Sequence, residues 1–167
     1  QHLGISPDFV IYDSDDQENL IRSLLSEMNL TTKEFKPSSV MYYIESAKNL
    51  YLNPESAKAL AHGFWESTAA KIYSLYQKKL LQYQALDFND LLFKTVELLE
   101  GRPEVLEKYH EKYRYILVDE YQDTNSSQNK IIDLLGNYYD NPNIFVVGDD
   151  DQSIFRFQGA SIENIYT

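Results

Sequence analysis

Two short strings place carboxylates directly behind apolar runs, an arrangement able to hold a divalent cation and activate water. Asp119-Glu120 follows Tyr115-Ile116-Leu117-Val118, and Asp149-Asp150-Asp151 follows Ile144-Phe145-Val146-Val147-Gly148. Mg²⁺ takes hard oxygen ligands in near-octahedral geometry and keeps several waters, so one rigidly held Asp can keep it against nucleotide phosphates. Asp119 is the candidate for that role. Glu120, next along the backbone, is suited to orient or deprotonate an attacking water. Gln152, beyond the second run, is a neutral donor suited to reading a γ-phosphate. A single Asp-Glu pair behind a strand is as often a solvated turn as a site. Two acid-tipped runs so close together favour chemistry.

The elements that must position these groups can be read from the same stretch. Continuous, β-branched apolar runs bounded by turn residues predict strands buried on both faces, the habit of parallel sheets. Between them Ser126 to Leu135 has a helical pattern, with Asn125 as N-cap and Gly136 at the stop. The result is a βαβ unit, expected to be right-handed. Both acid clusters then emerge at the carboxyl ends of neighbouring strands, where open α/β sheets bind ligands. Further on, Phe155 and Phe157 flank Arg156. Aromatic faces stack on nucleic-acid bases for roughly 1–3 kcal/mol each without sequence preference; the alternative is that both rings pack under the sheet.

The first hundred residues read as helical. Ser14-x-x-Gln17 suggests a capping box opening a helix that carries Leu20, Ile21, Leu24, Leu25 and Met28 on one face. Thr31-x-x-Glu34 suggests a capped turn before Pro37, and a further helix is expected from Ser38 to Leu50. Asn53-Pro54 starts a long pattern reaching Tyr83, with Ala57, Leu60, Ala61, Phe64, Thr68, Ile72 and Leu75 inward and Gly63 as a bend. Asp87 is expected to cap a helix from Phe88 to Leu99, stopped by Gly101, and Pro103 to open another toward Tyr109. His2, His62 and His110 lack partners at metal-ligand spacing. Trp65, beside Phe64, reads first as packing and second as a nucleic-acid contact.

These motifs carry a family resemblance. DEYQDTN at 119–125, followed by VVGDDDQSIFRFQGA at 146–160, resembles motifs II and III of the UvrD/Rep/PcrA-type DNA helicases of superfamily 1. LDFNDLL at 86–92 resembles the segment by which those helicases return from an inserted helical subdomain, and FVIYD at 9–13 is similar to the approach to it. The resemblance implies an α/β fold of the P-loop NTPase class. Residues 1–85 would form a mostly helical inserted subdomain, and residues 86–167 the second half of a first RecA-like ATPase domain. It further implies an enzyme that couples ATP hydrolysis, with Mg²⁺, to 3′ to 5′ movement on single-stranded DNA at a duplex junction. On that reading Asp119 holds Mg²⁺ and Glu120 activates water, Gln152 contacts ATP, and Phe155, Arg156 and Phe157 touch DNA. The family usually has Tyr, Gly or Arg, Trp and Arg where this chain has Phe155, Arg156, Phe157 and Gln158, so a positive charge is missing at 158.

The resemblance also implies parts that the sequence does not contain. No glycine precedes a lysine, so the phosphate-cradling GxxxxGK[ST] loop is not encoded. The expectation is a fragment of a larger helicase, inactive alone, that works with the remaining helicase domains. A non-catalytic nucleic-acid or protein interaction module of the same fold is the alternative. A Mg²⁺-dependent phosphohydrolase or nuclease is a third class, which leaves Gln152 and the aromatic run unexplained. Zero cysteines exclude disulfides and thiolate metal sites. No apolar run is long enough for a membrane span, so no membrane partner is expected; the resemblance implies a cytoplasmic enzyme of DNA repair. Fifteen basic against twenty-six acidic residues give a net charge of −11, so most phosphate-backbone contacts are expected from other domains.

Overall fold

The computed structural model describes residues 2–137 and 143–149, and the chain divides into two compact units, Gln1–Leu91 and Leu92–Thr167. The first unit is a set of helices packed together beside two short strands. β1 (Val10–Tyr12) pairs in parallel with β2 (Ala85–Asp87), Ile11 opposite Leu86. Neither strand was expected, because three residues are too few to show a period in sequence. α1 (Ser14–Glu27) is capped one residue earlier than predicted. The N-cap is Asp13, whose carboxylate accepts from the N–H groups of Asp15 and Asp16, while Asp16 returns the bond to Asp13. A carboxylate outcompetes the Ser14 hydroxyl there because it also meets the positive end of the helix dipole.

The apolar stripe of α1 behaves as predicted: Ile21, Leu24 and Leu25 are fully buried and Leu20 nearly so. It packs on α2 (Pro37–Asn49) and on a long helix later in the chain. The Thr31 turn forms, with the Glu34 N–H and the Thr31 hydroxyl bonded across it. The long pattern from Asn53 is two helices, α3 (Pro54–Leu60) and α4 (Gly63–Gln82), where a single bent helix was expected. Ala61 and His62 are extended, and Gly63 has φ +70°, a left-handed conformation that glycine adopts without strain. The break resets the helical phase. Leu60 and Phe64, expected inward, are therefore 58% and 76% exposed, whereas Ala57, Thr68 and Ile72 are buried. Trp65 stacks on Phe35 and meets Tyr43 edge-on, each at 6.0 Å between centroids, which is packing.

One polar network lies within this core. Lys48 is 1% exposed, and its ammonium donates to Asp87 Oδ2 at 2.5 Å and Asp90 Oδ1 at 2.8 Å. Tyr76 donates to the same oxygen of Asp87, and Gln77 to Asp90. Asp87 and Asp90 also form a reciprocal box at the start of α5 (Phe88–Gly101): the Asp90 N–H donates to Asp87 and the Asp87 N–H to Asp90. The predicted cap at Asp87 is therefore present, and its carboxylate serves a buried ion pair as well.

In the second unit α6 (Pro103–Lys112) opens at its proline and runs past Tyr109. β3 (Ile116–Val118) and β4 (Ile144–Val146) pair in parallel, Leu117 opposite Phe145, and α7 (Ser126–Gly136) joins them as the predicted helix of a βαβ unit. Asn125 caps α7 in a box with Gln128. His110 of α6 is buried with Nε2 2.7 Å from the Leu134 carbonyl of α7. Gly136 is the last residue of the helix, and a Cβ there would collide with the side chain of Ile144. The glycine thus lets α7 seat against β4. Burial of the strands on both faces does not hold for the described residues: Leu117, Phe145 and Val147 are 76%, 63% and 51% exposed. α7 meets the strand pair where Gly136 lies against Ile144, and Leu117 and Phe145 stay exposed among the described residues. Among the described residues no helix is long and apolar enough to cross a membrane.

Candidate functional site

The acid-bearing ends of β3 and β4 lie side by side because the ladder continues past both strands. Val147 donates its N–H to the Val118 carbonyl at 2.8 Å, and Tyr121 donates to the Val147 carbonyl at 3.0 Å. Between those bonds the chain must turn sharply. Glu120 takes φ 51°, ψ 42°, a left-handed conformation that costs a non-glycine residue on the order of 1–3 kcal/mol. Its side chain is thereby turned out of the strand's alternation, and Tyr121–Asp123 closes a single 3₁₀ turn with the Asp123 N–H on the Glu120 carbonyl. Strain of this kind persists where neighbours over-determine it.

The neighbours here are the remaining letters of the motif. Thr124 returns its hydroxyl to the Tyr121 carbonyl at 2.7 Å. Tyr121 donates its phenolic hydroxyl to Asn129 Oδ1 of α7 at 2.5 Å. Burial raises that phenol above its ordinary range, and the charge of Asp133 adds to the rise. It therefore stays a neutral donor. Gln122 is fully buried; its Nε2 donates to Glu120 Oε2 at 2.6 Å and its Oε1 accepts from the Asp149 N–H at 2.9 Å.

Asp119 and Glu120 themselves are exposed. Asp119 Oδ1 accepts from the Glu120 N–H at 2.9 Å, which fixes the carboxylate's rotation, and no lysine or arginine pairs with it among the described residues. A rigid, uncompensated carboxylate fits Mg²⁺, which needs oxygen ligands and keeps its waters. Among the described residues no group of three His, Asp or Glu side chains could hold a metal ion.

Of the residues singled out in sequence, the structure brings Asp119 and Glu120 to one edge beside Asp149. Gln152, Phe155, Arg156 and Phe157 lie outside the described residues. Gln122 and Gly148 were not anticipated as parts of the site. Their signal in the sequence is faint: a glutamine among turn residues reads as solvated, and a glycine behind a strand reads as a turn former. Gly148 allows a close approach: a Cβ there would lie 2.7 Å from Gln122 Oε1, so that amide would have to shift.

Comparison with known proteins covers the whole chain. Residues 1–167 match the family model described as UvrD/REP helicase N-terminal domain. The chain is 45% identical over 163 residues to the ATP-dependent DNA helicase PcrA of Bacillus subtilis, a span of 98% of this chain and 22% of that protein. It is 42% identical over 163 residues to the proteins of the same name from Staphylococcus epidermidis and Staphylococcus aureus, again 98% of this chain and 22% of theirs. The chain thus spans about a fifth of the length of these curated relatives.

Proposed function

The chain belongs to the UvrD/REP helicase family, and from that premise we propose that it supplies the acidic half of the ATPase site of a DNA helicase. In this reading residues 86–167 complete a first RecA-like domain and residues 1–85 form the helical subdomain inserted in it. The parent enzyme hydrolyses ATP to move 3′ to 5′ along single-stranded DNA toward a duplex junction, in the cytoplasm, together with its remaining helicase domains. The observation that carries this reading is the tied pair of strand ends: Asp119 and Glu120 at β3, bound through Gln122 to Asp149 behind β4.

The two carboxylates have different surroundings and so suit different tasks. Asp119, rotationally fixed by the Glu120 N–H, would hold Mg²⁺. The ion, when bound with ATP, neutralises phosphate charge. Glu120 is swung away from the strand and steadied by one amide donor, which suits it to take a proton from water. Gln152 would contact the γ-phosphate. Replacing Glu120 and Asp119 in a full-length helicase carrying this segment tests the assignment.

Two further outcomes follow. The isolated 167-residue chain is expected to show no DNA-stimulated ATP hydrolysis, because phosphoryl transfer needs phosphate-cradling and cationic groups that its sequence does not encode. A phosphate-release assay checks this, and robust turnover would overturn the assignment. In the full-length protein, Phe157→Ala should weaken single-stranded DNA binding by ~1–3 kcal/mol and blunt DNA stimulation, while basal hydrolysis changes little. Phe157→Trp should preserve or strengthen binding. Fluorescence titration with short single strands reads both variants; unchanged affinity with a lower melting temperature would make Phe157 a packing residue.

A further inference from the structure

We propose that Gln122 is a positioning residue for ATP hydrolysis, a buried strut that sets the Glu120 carboxylate relative to the backbone behind β4. The inference rests on the reading of Glu120 as the group that activates water, and adds a residue that acts through it. Three observations converge on this side chain. It is fully buried, so both ends of its amide must find protein partners. Nε2 has the Glu120 carboxylate at 2.6 Å, and Oε1 has the Asp149 N–H at 2.9 Å, across 27 positions of sequence.

The orientation of the amide is dictated by those partners. A carboxylate only accepts and a backbone N–H only donates, so a reversed amide would set oxygen against oxygen and hydrogen against hydrogen. No other side chain of this length satisfies both. Glutamate would oppose Glu120, and methionine would lose both bonds while keeping much of the volume.

Gly148 shows that the fit is close. A Cβ at that position would stand 2.7 Å from Gln122 Oε1, closer than the amide oxygen can tolerate without moving. The strut is also short and stiffly mounted. Its own backbone is anchored by the Tyr121 N–H on the Val147 carbonyl, and the 3₁₀ turn is closed on Glu120. A shift of the backbone at Asp149 is therefore passed to the Glu120 carboxylate through one side chain.

The test is a set of variants in a full-length helicase carrying this segment: wild type, Gln122→Met, Glu120→Gln, the double variant and Gly148→Ala. Steady-state and single-turnover ATP hydrolysis are measured, with thermal melting alongside. Gln122→Met should lower kcat by ~10- to 100-fold, the scale of a misplaced catalytic group, with the KM for ATP changed less than about twofold. In the Glu120→Gln background the same change should have no further effect on the slow single-turnover rate, because the strut then has no base to position. Gly148→Ala should lower kcat in the same sense without leaving a cavity, so it serves if Gln122→Met does not fold.

The outcomes separate the two readings. A Glu120→Gln enzyme that turns over normally removes the role of Glu120 and the proposal with it. A dead Glu120→Gln enzyme beside normal kcat in Gln122→Met, or in a folded Gly148→Ala, overturns the strut alone. An equal loss from Gln122→Met in both backgrounds makes Gln122 merely structural and also overturns it.

Discussion

In a full-length helicase carrying this segment, Glu120→Gln is expected to lower DNA-stimulated ATP turnover by ~10²–10⁴-fold, the usual contribution of a positioned proton acceptor. The substitution keeps the shape of the side chain, and an amide oxygen can still accept from Gln122 Nε2 across the 2.6 Å contact. What it loses is the capacity to accept a proton from water. The left-handed backbone at residue 120 and the 3₁₀ turn behind it depend on backbone bonds and on Tyr121, Thr124 and Asn129, none of which the change touches. Folding and ATP binding should accordingly survive. Rates by phosphate release, with the melting temperature as control, check it; turnover within about threefold of wild type would remove the catalytic role.

The second large effect concerns stability. Lys48→Met is expected to destabilise the helical unit by ~3–5 kcal/mol, the usual consequence of removing one partner from a buried ion pair. The ammonium is the cation shared by Asp87 and Asp90, and both carboxylates are buried with it. Methionine fills a similar volume, so the loss reports the stranded charge rather than a cavity. Hydrogen exchange at the amides of α2 and α4 in the full-length protein measures it locally, without assuming that the whole chain unfolds in one step.

The loss should also depend on pH. Burial raises the Asp90 carboxyl above the usual range and Lys48 opposes that rise, and Glu45 is raised by burial and by Asp87 with Lys48 again opposing. Without Lys48 both carboxyls move further up. A carboxyl raised in the folded state favours folding below its unfolded value, and that benefit is lost as pH rises through the folded value. The deficit of Lys48→Met should therefore be greatest at neutral pH and shrink as the solution is acidified toward ~4. A pH-independent deficit under ~1 kcal/mol would show that the network contributes little.

How much of this was readable in the sequence depended on how local each cause is. The βαβ unit, the Asn125 cap and the apolar stripe of α1 follow from neighbours within four residues, and they are present. The one-residue shift of the first cap to Asp13 was a local competition between two good caps. The break at Ala61-His62 was harder to read, since the apolar spacing on either side fits one continuous helix, yet both residues are extended and Gly63 opens a new helix at positive φ. Nothing close to Lys48 in sequence marks it for burial; its partners lie 39 and 42 positions away. At the site, the carboxylates were legible because acids behind strands are conspicuous. Gln122 was not, because its value comes from an N–H on the neighbouring strand's continuation, which no spacing rule within the motif discloses. The exposure of Leu117 and Phe145 was equally hidden, since an apolar run shows what a strand could bury and not what lies against it.

The division of labour between the two exposed carboxylates is the centre of the account, and nucleotide affinity titrated with and without Mg²⁺ tests it most directly. The comparison uses full-length wild type, Asp119→Asn and Glu120→Gln. Asp119→Asn should lose most of the gain in ATP affinity that Mg²⁺ confers, because an amide is a poor ligand for a hard cation and the remaining contacts are to phosphate. Glu120→Gln should keep that gain while failing to turn over. Equal loss of the Mg²⁺-dependent gain in both variants, or its full retention in Asp119→Asn, would contradict the assignment of metal holder and base.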